Sequence, residues 1–136
     1  MAQSQNPPNS SFRQSQFRWK TDPTFYPTAR LAMESPPERY AYVAALAADN
    51  KSRSDALLVV DVDPSSASHG KIVGQLDLPN RGDELHHFGW NACSTALCPY
   101  APHPHLERRY LVVPGLRSSR IHIVDTKPDP TKLEIV

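Results

Sequence analysis

Chemistry-bearing side chains crowd one stretch, DELHHFGWNACSTALC at residues 83–98, followed almost at once by PYAPHPH. Four of the six histidines (His86, His87, His103 and His105) and both cysteines, Cys93 and Cys98, fall there. A bland surface loop would be built from Ser, Asn, Asp and Gly instead. Neutral imidazole is a good ligand for copper, zinc, iron and nickel, and a coordinating histidine normally has a carboxylate or carbonyl behind it. His86 and His87 are therefore candidate metal ligands, with Asp83 and Glu84 as the groups that would orient them. On a regular strand, neighbouring side chains point to opposite faces, so both rings reach one ion only from a turn. Gly82 and Gly89 bracket the pair and make such a turn possible. The plainer alternative leaves one histidine to ligate while the other packs or hydrogen-bonds.

Cys93, Cys98, His103 and His105 spell C-x4-C-x4-H-x-H. Structural zinc sites favour C-x2-4-C and H-x3-5-H, so the match is poor. A reactive thiol is the second reading, because basic neighbours favour thiolate. Burial as small apolar side chains is the third. Arg117 and Arg120 lie at a turn between two strand patterns, where they could steer an anion or simply stand in solvent. His122 alternates with Ile121 and Ile123 and reads as structural.

The elements that must carry these residues read as short strands. ALLVVDV at 56–62 is rich in β-branched residues and ends at Asp63-Pro64. KIVGQLDL at 71–78 follows a Ser-rich turn, and further strand patterns cover 110–113, 120–125 and 133–136. Residues 40–46 form an apolar run whose alanines leave helix open. A short helix is expected over 28–34, with Thr28 at its N-cap. Fourteen prolines against five glycines fit short extended segments joined by stiff turns. There is a faint repeat: LLVVDVDP, a loop and KIV against RIHIVDTKP, a loop and KLEIV, with Val60-Asp61 and Val124-Asp125 in matching places. Repeating short-strand units are the signature of a β-propeller, and insertions between units gather on one, commonly ligand-binding, face. The histidine-cysteine segment is such an insertion.

Composition narrows the function classes. The formal charge of +1 points to neither nucleic acid nor an anionic membrane. No apolar run approaches a membrane span, and MAQSQNPPNSSFRQSQFRWK lacks a secretory h-region, so a cytoplasmic location with reduced thiols is expected. No Ser-His-Asp order, phosphate-binding glycine loop or basic recognition helix is visible. Residues 1–21, rich in Ser, Gln, Asn and Pro, are expected to form a disordered polar tail. The apolar LEIV at 133–136 has no turn or polar tail after it, which predicts that the strand pattern continues beyond Val136.

GDELHHFGWNACSTALCPYAPHPH and RRYLVVPGLRSSRIHIVDTKPDP, with DPTFYPTARLAMESPPERYAYVAAL and DALLVVDVDP upstream, resemble the selenium-binding protein family, whose studied members act as methanethiol oxidases. The resemblance covers residues 22–136. It implies an all-β chain holding the first two blades or so of a seven-bladed β-propeller. It also implies copper held by histidines, His86 and His87 here, with the remaining ligands beyond Val136. The implied substrates are a small thiol and oxygen, and Phe88 and Trp90 would wall a pocket for a methylthiol group; core packing is the plainer fate of these aromatics. The rival implication is a selenium or thiol carrier acting through Cys93 or Cys98 without turnover. Some animal members carry a selenium-linked cysteine where this chain reads SSASHGKIV. Gly70 stands at that place, beside His69.

Overall fold

The computed structural model describes residues 28–34, 36–49, 52–92 and 108–136. Residues 1–21, Cys93, Cys98, His103 and His105, and the expectations attached to them, lie outside the described residues. The described chain is all-β apart from one helical turn, α1 (Ala29–Met33), which opens with the Ala32 amide donating to the Thr28 carbonyl at 3.1 Å. Pro36 and Pro37 cannot continue it.

The first sheet is an antiparallel meander of β1 (Tyr40–Ala45), β2 (Ala56–Asp61) and β3 (Ile72–Asp77). The alanines of β1 permitted a helix, but β1 pairs with the apolar β2 in unbroken register, from Tyr40↔Asp61 to Ala45↔Ala56. A bulge between Val59 and Val60 shifts the β2–β3 register. The second sheet runs β4 (Gly89–Trp90), β5 (Tyr110–Pro114), β6 (Ile121–Asp125) and β7 (Glu134–Ile135), again antiparallel between neighbours. The expected insertion is thus partly sheet: Gly89 and Trp90 pair with Val112 and Leu111. The other strands fall where their patterns placed them, within a residue or two.

The repeat seen in the sequence is structural, and it is deeper than Val-Asp. Tyr40 pairs with Asp61 and Tyr110 with Asp125. Each aspartate accepts from the amide two residues on, Asp63 at 2.9 Å and Lys127 at 3.0 Å. In each unit the residue after the aspartate donates to an arginine carbonyl, Val62 to Arg39 and Thr126 to Arg109.

One apolar cluster lies between the sheets: Leu57 and Val59 from β2, Leu111 and Val113 from β5, Val124 from β6, with Leu78, Leu85 and Leu133. Each wholly buried Leu or Val here contributes about 1.5–3 kcal/mol. A buried carboxylate and a close backbone approach close the seam. Asp55, fully buried, accepts from the Ala47 amide at 2.8 Å and from the Leu85 amide at 2.9 Å. Gly74 of β3 lies so near the β6–β7 turn that a Cβ there would stand 2.1 Å from the Thr131 carbonyl oxygen. No helix of the described residues is long and apolar enough to cross a membrane.

Candidate functional site

The histidine pair sits at the end of a strained turn. Gly82 has φ 73° and Glu84 φ 57°. A glutamate in the left-handed region costs on the order of 1 kcal/mol and persists only where its surroundings impose it. Those surroundings are the β5–β6 turn. The Leu116 amide donates to the Glu84 carbonyl at 3.1 Å, the Arg117 amide to the Asp83 carbonyl at 3.2 Å, and Leu85 bridges Gly115. The turn is therefore formed at residues 82–84, while Gly89, expected to share in it, belongs to β4.

Asp83 does not orient the histidines that follow it. Its carboxylate is fully buried and points back into the fold, where it accepts from Arg120 Nη1 at 3.0 Å, faces His122 Nε2 at 2.9 Å and takes a further bond from Ser118. Desolvation pushes this carboxyl up. The bonds from Ser118, His122 and Arg120, with the His122 charge, outweigh it and hold the group below its ordinary value. The reason for the correction is geometric: the left-handed Glu84 reverses the chain between Asp83 and His86. His122 is structural, as expected, but its face is the packed one, and Ile121 is the exposed neighbour. Arg120 is half-exposed and bonded to Asp83, and Arg117 is in contact with Glu84 Oε2, so neither is a free loop charge.

Glu84 remains beside the pair, its Oε1 3.0 Å from His86 Nε2. If that nitrogen donates, Nδ1 keeps its lone pair for an ion. His86 and His87 are both exposed, their ring centres 6.2 Å apart at 61°. With a metal–nitrogen bond of about 2 Å, two rings on one ion stand at most ~6 Å centre to centre. The observed spacing therefore suits one ion only with the rings on opposite sides of it, or after one exposed ring turns. Imidazole fits copper in kind. In number the donors fall short, since no group of three or more His, Cys, Asp or Glu among the described residues could hold an ion.

Phe88 and Trp90, two apart along an extended segment, both line a cavity of about 770 Å³ between the sheets. Tyr40, Tyr42, Arg39 and Arg108 line it too. Tyr42 meets Trp90 edge-on, with centroids 5.7 Å apart, and the Arg108 guanidinium lies 5.0 Å over the indole. Burial raises the Tyr42 phenol above its usual value against a lowering bond from Thr126. Both aromatics also pack against the apolar cluster, the plainer fate expected for them, and the cavity, which Glu38 lines as well, is larger than a methylthiol group needs. Arg108 gave no signal, being one arginine of a solvated-looking pair. Gly70 has φ 76° with open space around it, so a cysteine at that place would fit sterically but on strained backbone.

The 56 kDa selenium-binding protein family (SBP56) matches the chain over residues 19–136. Among curated relatives, selenium-binding protein 2 of Arabidopsis thaliana is 45% identical over 106 residues, 77% of this chain and 21% of that protein. Methanethiol oxidase of Danio rerio is 39% identical over 106 residues, 77% of this chain and 22% of that one. An X-ray structure of a hypothetical selenium-binding protein from Sulfolobus tokodaii superposes with a TM-score of 0.76 at 57% identity, covering 85% of this chain and 25% of that chain. The chain thus spans about a fifth of the length of the curated relatives it matches. Matched over most of its residues in sequence and in fold, the chain belongs to the selenium-binding protein family.

Proposed function

We propose that this chain supplies the histidine-bearing part of a copper-dependent methanethiol oxidase. In the reaction, methanethiol, dioxygen and water, one molecule of each, give formaldehyde, hydrogen sulfide and hydrogen peroxide. The observation that carries the reading is the exposed His86–His87 pair on a turn that Asp83 and Glu84 anchor through Arg120, His122 and Arg117. Relatives named methanethiol oxidase support it. His86 and His87 would be among the ligands of the copper, which when bound would supply the redox chemistry that couples thiol oxidation to oxygen reduction. The chain's own residues do the rest. Glu84 holds His86 by one ring nitrogen and so orients the other. Arg117 fixes Glu84, and the Asp83 cluster fixes the turn. At the length of its relatives the protein would complete the ligand set from further sheets of the same kind, arranged as a propeller. A reducing cytoplasm would keep Cys93 and Cys98 as thiols.

The test is made on the protein isolated from its own cells, alongside an H86A/H87A variant. Copper content and peroxide release on methanethiol should fall together. Turnover that survives the double substitution would sink the assignment. The second reading, a selenium or thiol carrier through Cys93 or Cys98, draws on relatives named selenium-binding protein. Copper-free protein that captures selenite, and loses it on C93S/C98S substitution, would favour that reading.

A further inference from the structure

The histidine turn is bonded to both sheets, and its bond to the first is made by a side chain that the repeat does not require. Asp55 stands immediately ahead of β2. Its carbonyl accepts from the Leu78 amide at 2.9 Å and its Oδ1 from the Ala47 amide at 2.8 Å, so one carboxylate oxygen closes the β1–β2 loop. Its Oδ2 reaches 30 positions down the chain and accepts from the Leu85 amide at 2.9 Å. Leu85 immediately precedes His86 and bridges Gly115, so the backbone from which the pair departs is fixed from both sheets. An asparagine offers one oxygen and could serve the loop alone; serving both amides takes a carboxylate. In the second unit, the same distance ahead of Asp125, stands the exposed Ser119. The Tyr–Asp pairing and the aspartate-capped turn occur in both units, whereas a buried carboxylate at this place occurs in one. The second unit folds without it. What lies against it in the first is the histidine segment.

We infer that Asp55 is a positioning residue for the His86–His87 pair, acting through the Leu85 amide; the inference rests on the reading of that pair as metal ligands. The β5–β6 turn fixes Asp83 and Glu84, and Asp55 fixes the residue after them, so the chain enters His86 from a defined place and direction. Without the Asp55 oxygen the buried Leu85 amide has no acceptor, and the segment must shift to find one, carrying both imidazoles with it. Loss of a group that orients a metal-binding histidine typically weakens metal binding about 10- to 100-fold. Asp55 acts one step further away, through the backbone, so the expected loss is about tenfold, the lower end of that range.

The experiment uses the full-length protein, unsubstituted and as Asp55→Asn and Gly74→Ala. Gly74→Ala disturbs the same seam, but its close neighbours are Thr131 and Val59 rather than Leu85 or the histidines, so it controls for lost stability alone. In metal-free protein carrying isotope-labelled histidine, the imidazole resonances of His86 and His87, assigned by single alanine substitutions, should shift in Asp55→Asn and stay in place in Gly74→Ala. Copper(II) affinity, read by competition with a chelator, should fall about tenfold in Asp55→Asn alone. Unmoved resonances or an unchanged affinity in Asp55→Asn, or equal changes in both variants, would overturn the inference. Shifted resonances in a protein that takes up no copper would support the positioning role and end the oxidase reading instead. If Asp55→Asn does not fold, hydrogen exchange of the unsubstituted protein decides. Coupling between two sites is reciprocal, so added copper(II) should slow exchange at the Leu85 amide and leave the Leu78 amide, bonded to the Asp55 carbonyl, unchanged. Equal exchange at Leu85 with and without the ion would overturn the inference.

Discussion

Asp83→Ala is the substitution that most directly tests how the histidine turn is held. The carboxylate has no exposure and three side-chain partners, Arg120, His122 and Ser118. Removing one partner of a buried, hydrogen-bonded charge pair costs about 3–5 kcal/mol. His122 is 8% exposed and would be left with an unmet ring nitrogen, whereas Arg120 is 50% exposed and can turn to water. The expectation therefore lies near the lower end, about 3 kcal/mol. Asp83→Asn keeps the shape and some of the bonds and should cost about 1–2 kcal/mol. Because the Asp83 carboxyl is held below its ordinary value, its contribution is fully present above the unfolded pKa of about 3.9. It fades as pH falls through the folded value. Urea unfolding, followed by tryptophan fluorescence at one low protein concentration, should show a constant gap between wild type and Asp83→Asn above about pH 5. The gap should narrow below about pH 4 for as long as the chain stays folded. A loss under about 1 kcal/mol for Asp83→Ala, or a gap unchanged at the lowest pH, would refute this account of the turn.

Two further substitutions probe the seam between the sheets. Asp55→Asn presents an amide where two buried backbone N–H groups, of Ala47 and Leu85, now meet a carboxylate; one is left unmet, and about 1–3 kcal/mol should be lost, with faster hydrogen exchange at the Leu85 amide. Protection at Leu85 equal to wild type would contradict it. Gly74→Ala places a methyl 2.1 Å from the Thr131 carbonyl oxygen, so backbone must move, and the melting midpoint should drop by several degrees for a cost of about 1–3 kcal/mol. An unchanged midpoint would mean the β3 contact with the β6–β7 turn is not formed in solution.

Much of the fold was legible because its strands carry their own signal. Residues 56–60 form an unbroken apolar run that includes β-branched Val59 and Val60, and the Val-Asp pairs mark the repeat in the sequence itself. The β1 alanines were ambiguous alone, since only pairing with β2 decides between helix and strand. β4 has two residues, too few for any period to show. The site was legible in kind and illegible in wiring. His86, Glu84, Phe88 and Trp90 could be picked out from residue type and spacing. The partners of Asp83 could not, because Arg120 and His122 lie 37 and 39 positions on and look, in sequence, like a loop charge and an ordinary strand residue. Asp55 was missed for the same reason. An aspartate ahead of a strand reads as a turn residue, and its two backbone partners are set by tertiary packing.

The dependence of the histidine turn on residues far downstream also bears on biosynthesis. Asp83 leaves the ribosome 39 positions ahead of His122, a delay of roughly 2 to 8 s at about 5–20 residues per second. For that interval the nascent HHFGW segment has none of its clamps, and Glu84 has no reason to hold a left-handed backbone. Two imidazoles on slack chain have no fixed spacing or direction. The geometry described for them can exist only after the β5–β6 turn has emerged and docked, so the order of translation decides when the histidine turn takes its shape.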